Sequence, residues 1–285
     1  MSTNLPFLKM HGLGNDFVVV DGRENAAALS QAQYRAVGDR RRGVGYDQFL
    51  TILPPRNGGI AYMAIHNPDG SEAQACGNGT RCVASLLMDE AGADEIVLET
   101  VAGGLVCRRA EDGRVTVDMG AARLRWDEIP IAVEADTLEV PVPTAEAYGP
   151  ATMVNMGNPH AVFFVEDAEA LDLARIGPPI ETDPIFPERA NIEFVTVLEP
   201  ASDGAARLRM RVWERGAGIT QACGSGACAT AVAAVRRGLI AGRSAAVVLD
   251  GGVLDITWRE DGHVEMTGPV ATSFSGTLDL VALVG

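Results

Sequence analysis

Two stretches of the sequence, QACGNGTRC from Gln74 to Cys82 and QACGSGACA from Gln221 to Ala229, each set a cysteine ahead of a Gly-X-Gly step. Their cysteines, Cys76 and Cys223, stand 147 residues apart. A cysteine at the start of a helix has its sulfur beside backbone N–H groups that lack an intrahelical partner, which makes an anion site. That setting lowers a thiol's pKa from about 8.5 toward neutrality, and glycine leaves the backbone bare for a carboxylate to approach. Two such thiols on opposite faces of one small substrate invert a stereocentre. One thiolate removes a proton from a carbon next to a carboxylate, and the opposite thiol delivers one to the other face. This chemistry asks for neither a cofactor nor a metal.

The energetics set further requirements. An amino-acid α proton lies many pKa units above a thiol, and a gap of about ten units is roughly 14 kcal/mol. A helix terminus contributes only about 0.3 to 2 kcal/mol. Donors aimed at the developing enolate-like carboxylate are worth roughly 3 to 4 kcal/mol each in a dry site. Several donors and the exclusion of water are therefore needed, which predicts closure of the domains on the substrate.

The elements that must position the two cysteines repeat along the chain. LGNDFVVV (Leu13 to Val20) resembles MGNPHAVFF (Met156 to Phe164) at an offset of 143, and QFLTI (Gln48 to Ile52) resembles EFVTV (Glu193 to Val197) at 145. The cysteine motifs follow in the same order at 147, so the chain reads as two homologous halves. Each half runs from a Gly-Asn turn through an apolar strand and further strands to one helix that begins at the cysteine motif. TRCVASLLMDEAG after Gly79 and ACATAVAAVRRGLIAG after Gly226 carry apolar residues at helical spacing, with glycine stops. The second is alanine-rich and uncharged through its first turns, which predicts a helix buried on all sides. EDGR and EDGH mark antiparallel hairpins. The boundary falls near Gly120 to Arg123, giving halves 1–121 and 122–268, with the strand in 269–285 returning to the first.

Composition narrows the function classes. At 285 residues, with 47% hydrophobic and 21% charged, the chain can bury a full core and suits two domains better than one. A net charge of -15 argues against a nucleic-acid surface. The one basic run, Arg40 to Arg42, beside Asp39, reads as a solvated helix end or an anion site. The uncharged segment Gly216 to Val235 is too rich in Gly, Thr, Gln and Ser for a membrane span. No secretory pattern opens the sequence, so the expected place is the cytoplasm. Five cysteines, an odd number, describe free thiols. No Cys-x2-Cys pair and four scattered histidines (His11, His66, His160, His263) argue against a metal. Lys9 is the sole lysine, and nothing around it fits a pyridoxal Schiff base. A buried cysteine is most often packing, and Cys82, Cys107 and Cys228, without a Gly-X-Gly partner, are read so.

With these residues in view, the chain resembles the diaminopimelate epimerase family, pyridoxal-independent enzymes that convert LL- to meso-diaminopimelate for lysine and peptidoglycan-precursor synthesis. The resemblance covers essentially the whole chain. It rests on KMHGLGNDFVVVDG (Lys9 to Gly22), GYDQ (Gly45 to Gln48), NPDGSEAQACGNGTRC (Asn67 to Cys82), NMGNPHAVFF (Asn155 to Phe164), FPERANIEFV (Phe186 to Val195) and WERGAGITQACGSGACA (Trp213 to Ala229). It implies an α+β fold of two homologous domains, each an antiparallel-rich sheet wrapped round a central helix, with the active site in the cleft between them, and a homodimer. It also implies that Cys76 and Cys223 are the acid/base pair, with His160 and Glu214 tuning the thiols. Gly77, Asn78, Gly224 and Ser225 would hold the carboxylate at the reacting end. Asn15, Asn67, Asn158, Asn191 and Arg215 would bind the substrate, with Asn67, Asn191 and Arg215 reading the distal carboxylate, and Gln48 would line the cleft.

A guanidinium fork suits a carboxylate, and buried amides bond either carboxylate or ammonium. Each residue also has a plainer reading: Asn15 and Asn158 suit turns after glycine, Arg215 a surface ion pair, and His160 a satisfied core histidine. Two positions depart from the family: Ile219 stands where Glu is frequent, and His66 where an aromatic is common. The competing assignments are a racemase of the proline racemase type, whose substrate lacks a distal carboxylate, and a thiol sensor or binding module in which Cys76 and Cys223 form a disulfide.

Overall fold

The structure is a computed structural model that describes residues 4–24, 29–73, 76–202 and 204–283. Gln74 and Ala75 of the first cysteine motif and the last two residues of the 269–285 segment lie outside the described residues. In chain order the elements are β1 (Asn4–Gly12), β2 (Asn15–Asp21), α1 (Gln31–Gly38), β3 (Gln48–Leu53), β4 (Ala61–His66), α2 (Gly77–Ala91), β5 (Glu95–Thr100), β6 (Gly103–Arg109) and β7 (Val115–Ala121). There follow β8 (Thr152–Asn155), β9 (Pro159–Phe164), α3 (Leu173–Glu181), β10 (Asn191–Leu198), β11 (Ala206–Glu214), β12 (Gly218–Ile219), α4 (Gly224–Arg236), β13 (Ser244–Leu249), β14 (Gly252–Trp258), β15 (His263–Gly268) and β16 (Ala271–Asp279).

The chain divides into two compact units, Met1–Val117 with Gly268–Gly285, and Asp118–Thr267. In the first, the strands lie in the order β16-β1-β2-β3-β4-β5-β6, followed by the opening residues of β7. β2 pairs with β3, and β4 with β5, in parallel; the remaining pairs are antiparallel. A parallel pair needs a crossover, supplied by α1 for the first pair and α2 for the second. The second unit repeats this logic in the order β8-β9-β10-β11-β13-β14-β15, with β12 beside β11. Its parallel pairs are β9 with β10, crossed by α3, and β11 with β13, crossed by α4.

Each half thus has two crossover helices where the sequence predicts one. α1 is only eight residues long but is well started: Ser30 and Gln33 form a reciprocal capping box. α3 carries Pro178 and Pro179, residues that normally stop a helix. In a helix of nine residues they occupy the last turns, and the Pro178 carbonyl accepts from the Thr182 backbone N–H at 3.3 Å.

The cysteine-led helices are at the centre of their units. α2 packs on β1, β2, β3, β5 and β6, and α4 on β8, β9, β10, β11, β13 and β14. α4 is buried at Gly224 and from Gly226 to Ala234, as its all-round small apolar surface requires. α2 ends at Gly92, whose φ of 61° is the left-handed cap its lack of a side chain permits. The EDGR and EDGH sequences form the β6–β7 and β14–β15 turns.

Strands beneath these helices are covered on both faces, which explains continuous apolar runs such as FVVV. In the first unit, Val18, Val20 and Phe49 pack with Tyr34 and Val37 of α1. The alternate positions, Gln48 and Leu50, face α2. In the second, Ala161, Phe163, Ile192 and Phe194 form one core with Ile176 and Ile180 of α3, leaving His160, Asn191 and Glu193 on the opposite side of the strands. Among the described residues no helix is long and apolar enough to cross a membrane.

Trp213, next to Glu214, is wedged between β11 and α3. Its indole N–H donates to Glu181 at 2.7 Å, and a Cβ on Gly177 would lie 2.4 Å from the ring. Gly177→Ala should therefore destabilise the fold by about 1 to 3 kcal/mol, read as a lower melting temperature; an unchanged melting temperature would mean that the ring is free to move aside.

Candidate active site

Cys76 is the N-cap residue of α2, with an extended backbone (φ -153°, ψ 93°), and its sulfur accepts the Gly79 backbone N–H at 3.3 Å. This is the place ordinarily taken by Ser, Thr, Asp or Asn. The sulfur therefore sits on the positive end of the helix. The second glycine of the motif is dictated by space: a Cβ at Gly79 would approach Leu50 Cδ1 to 3.0 Å and Cys76 Sγ to 3.3 Å.

Among the described residues, two amides lie beside this thiol. Cys76 Sγ lies 3.4 Å from Gln48 Oε1 and 3.8 Å from Asn15 Oδ1. Asn78, in the first turn of α2, donates to Asn15 Oδ1 at 3.1 Å, and Asn15 in turn donates to Asp47 Oδ2 at 2.8 Å. Asp47 also accepts from Arg40 at 2.8 Å, and Arg40 from the other side grips Asp16 at 2.7 Å. Lys9 donates to Asp16 and to the Gly45 carbonyl. Burial pushes the Asp16 carboxyl upward, but hydrogen bonds from Arg40 and Lys9 outweigh it and hold its pKa at about 2. The basic run is therefore not a vacant anion site at Arg40, and the sole lysine is held by a carboxylate.

Cys223 repeats the cap on α4 (φ -114°, ψ 107°), accepting the Gly226 backbone N–H at 3.4 Å, with Ser225 Oγ 3.6 Å away. Here a Cβ at Gly226 would come within 2.9 Å of Glu193 Oε1 and 3.2 Å of the sulfur. The neighbours of this thiol are ionisable. Glu214 acts on it from nearby and accepts from Thr220. His160 Nδ1 lies 2.6 Å from Glu193 Oε1, and its Nε2 2.8 Å from Asn158 Oδ1. Burial raises the Glu214 carboxyl above its ordinary value against the pull of Thr220, Cys223 and His160. Burial, then the Glu214 and Glu193 carboxylates, push the Cys223 thiol well above 9.

The other predicted residues take distinct places. Asn191 accepts the Arg215 backbone N–H at 2.9 Å and donates to the Pro159 carbonyl at 3.0 Å; the Arg215 guanidinium donates to the Glu188 carbonyl at 3.0 Å and is exposed. Asn67 sits in its own Asn67–Ser71 turn, donating to Ser71 Oγ at 3.1 Å. Asn15, Gln48, Asn78 and Cys76 are thus one connected group; in the second unit Asn158 and His160 reach the start of α4 through Glu193, where Cys223 and Ser225 lie. Gly77 and Gly224 open the two helices.

Glu193 escaped the sequence reading of the site, although a signal was there: it is the repeat partner of Gln48, at an offset of 145. Of the two departures, His66 stacks on Tyr34 with ring centroids 4.5 Å apart and so takes the aromatic's place, while Ile219 is exposed on β12 beside Trp213. Cys82 and Cys107 are buried, which pushes both thiols up to about 12, and Cys228 is likewise buried in α4.

Comparison with known proteins accounts for this arrangement. The family model described as diaminopimelate epimerase matches residues 7–125 and 152–273. The diaminopimelate epimerase of Rhodospirillum centenum is 58% identical over 280 residues, covering 98% of this chain and 94% of that protein. That of Phenylobacterium zucineum is 53% identical over 276 residues, covering 96% and 97%. Among solved structures, a predicted epimerase from Pseudomonas aeruginosa shares the fold with a TM-score of 0.64 at 20% identity, covering 96% of this chain and 99% of that one. A hydroxyproline epimerase from Agrobacterium vitis, solved with bound trans-4-hydroxy-L-proline, does so with a TM-score of 0.64 at 17% identity, covering 97% and 93%. The fold is therefore common to several epimerases, whereas the family model and the close relatives agree on one: this chain belongs to the diaminopimelate epimerase family.

Proposed function

We propose that the protein is an isomerase that interconverts LL- and meso-diaminopimelate, in lysine and peptidoglycan-precursor synthesis, by moving a proton at one α carbon between two thiols. The observation that carries this reading is the matched pair of sulfur caps. Cys76 and Cys223 each accept the N–H of the glycine three residues on, at 3.3 and 3.4 Å. Each half, 1–121 with 269–285 and 122–268, supplies one thiol and the bare helix end that receives the reacting carboxylate through Gly77 and Asn78 or Gly224 and Ser225.

The two thiols have different surroundings, which gives them different resting roles. Burial, and then the carboxylates of Glu214 and Glu193, raise the Cys223 thiol, which favours it as the donor. Cys76, beside the Gln48 and Asn15 amides and at a helix end, is the base. In the reverse direction the roles exchange. His160 and Glu214 tune the thiols, and Glu214, whose carboxyl burial raises, acts on Cys223 from nearby. Asn15, Gln48 and Asn158 hold the reacting end, while Asn67, Asn191 and Arg215 read the distal one. Proline offers Arg215 no second carboxylate, which separates this reading from a proline racemase. A disulfide sensor would have no use for the tuned Glu214.

Neither metal nor pyridoxal phosphate enters the reaction. The protein acts in the cytoplasm, where free thiols at Cys76 and Cys223 persist. It works as a homodimer, which β16 favours: Ala271 to Leu278 carries no charge, pairs with β1, and exposes Phe274. An uncharged edge strand is a template for another chain.

Proton NMR of LL-diaminopimelate in deuterium oxide should give exchange and inversion at one α carbon with the reduced protein. Cys76→Ala or Cys223→Ala should each lower the rate by at least about 10²-fold; absence of exchange in the wild type would return the protein to the sensor reading. Arg215→Met should raise KM by roughly 10- to 100-fold, the loss of a charged hydrogen bond of about 1.5 to 3 kcal/mol, with kcat changed less; an unchanged KM would remove Arg215 from the distal subsite. In Cys76→Ala, alkylation of Cys223 should keep rising with pH beyond about 9, since a raised pKa leaves the reactive thiolate scarce below it. A plateau near pH 7 would reverse the resting roles.

A further inference from the structure

Glu193 is a fully buried carboxylate with an unusual set of contacts. One oxygen lies 2.6 Å from His160 Nδ1, and both side chains have no solvent exposure. The other oxygen, Oε2, is buried without a hydrogen-bond partner among the described residues. Leaving a buried carboxylate oxygen bare costs stability, so packing does not account for an acid here.

The repeat gives a direct comparison. The first half has Gln48 in place of Glu193, at an offset of 145, and Phe17 in place of His160, at 143. Both lie on corresponding parallel strands, β2 with β3 and β9 with β10. Phe17 stands opposite Gln48 in the first half, whereas in the second His160 stands opposite Asn191 and Glu193 opposite Val162, so the repeat itself does not call for an acid and an imidazole. The acid and the imidazole are an addition confined to the half that holds Cys223.

Hydrogen-bond logic then fixes one proton. A carboxylate only accepts, so Nδ1 of His160 carries a hydrogen directed at Glu193. If Asn158 presents its oxygen, Nε2 also carries a hydrogen and the ring is an imidazolium balanced by Glu193. If the amide is turned, Nε2 accepts from Asn158 and the ring is neutral. In both arrangements Nδ1–H belongs to Glu193 and Nε2 to Asn158. We propose that Glu193 is a positioning residue of the epimerase reaction, locking His160 in one orientation and tautomer so that Nε2 is the nitrogen shared with the substrate-binding Asn158. This inference rests on the function proposed above. It places Glu193 two residues beyond Asn191 on one strand, so that β10 supplies both a distal-carboxylate reader and the support for His160.

Two variants separate this role from a structural one. Glu193→Leu removes the acceptor, whereas Glu193→Gln restores an acceptor oxygen without the charge. Ring nitrogens of ¹⁵N-labelled protein, with His160 assigned by its loss in His160→Gln, report the tautomer; steady-state kinetics report kcat and KM. Glu193→Leu should lose the Nδ1-protonated signature and lower kcat by about 10- to 100-fold with KM little changed. Glu193→Gln should regain the signature and part of kcat. A folded Glu193→Leu with wild-type kcat, or with lower kcat and the same His160 signals, overturns the proposal. Should Glu193→Leu not fold, Glu193→Gln with wild-type kcat overturns it. An inactive wild type refutes the epimerase reading instead, while the nitrogen spectra still report whether Glu193 sets His160.

Discussion

A sulfur in the N-cap position of a helix is the interaction on which both halves of this protein depend. The cap demands extended backbone at the cysteine and a free N–H three residues later, and Cys76 and Cys223 meet both demands. It also leaves little room for a side chain at that third residue, so the motif favours glycine there. The neighbour that excludes a Cβ differs, Leu50 in one unit and Glu193 in the other. A feature that looks like a flexible glycine loop is thus a close contact between a helix start and the sheet beneath it.

Around this common frame the halves have diverged in polarity. The first surrounds its sulfur with amides, which donate and accept without titrating, and anchors them to a charged network of Lys9, Asp16, Arg40 and Asp47 set further out. The second brings the carboxylates of Glu214 and Glu193 near the sulfur, with the His160 imidazole held by Glu193. Burial and nearby charge both act on a thiol's proton, besides a helix end, whose effect is about 0.3 to 2 kcal/mol. Two equivalent caps thus stand in different surroundings, which suits a reaction that needs a base and an acid at once.

The same economy governs the sheet. Each half uses parallel pairs with crossover helices, so the strands under α2 and α4 are buried on both faces. Alternate residues of a single strand then serve different ends: Ile192 and Phe194 fill the core, and Asn191 and Glu193 carry polar groups on the opposite face.

Much of this was legible in the sequence. The duplication, the two capped helices, their glycine stops and the hairpin turns all depend on local backbone chemistry and on periodicity, which neighbouring residues write directly into the chain. The family followed from motifs of the same local kind. The helix α1 was missed although Ser30 and Gln33 spell a capping box; α3 was not legible, because a short helix with a proline pair has weak local preference and exists to satisfy a parallel pairing between strands far apart in sequence. Glu193 was hidden for the same reason. Within EFVTV it is a strand residue like any other, and only the pairing of β9 with β10 brings its carboxylate to His160 and the start of α4. The sequence by itself determined where the sulfurs sit and what caps them, since a cap is made within four residues. Which groups surround each sulfur only the tertiary structure decided, because burial and charge at a point are sums over residues that the chain order keeps apart.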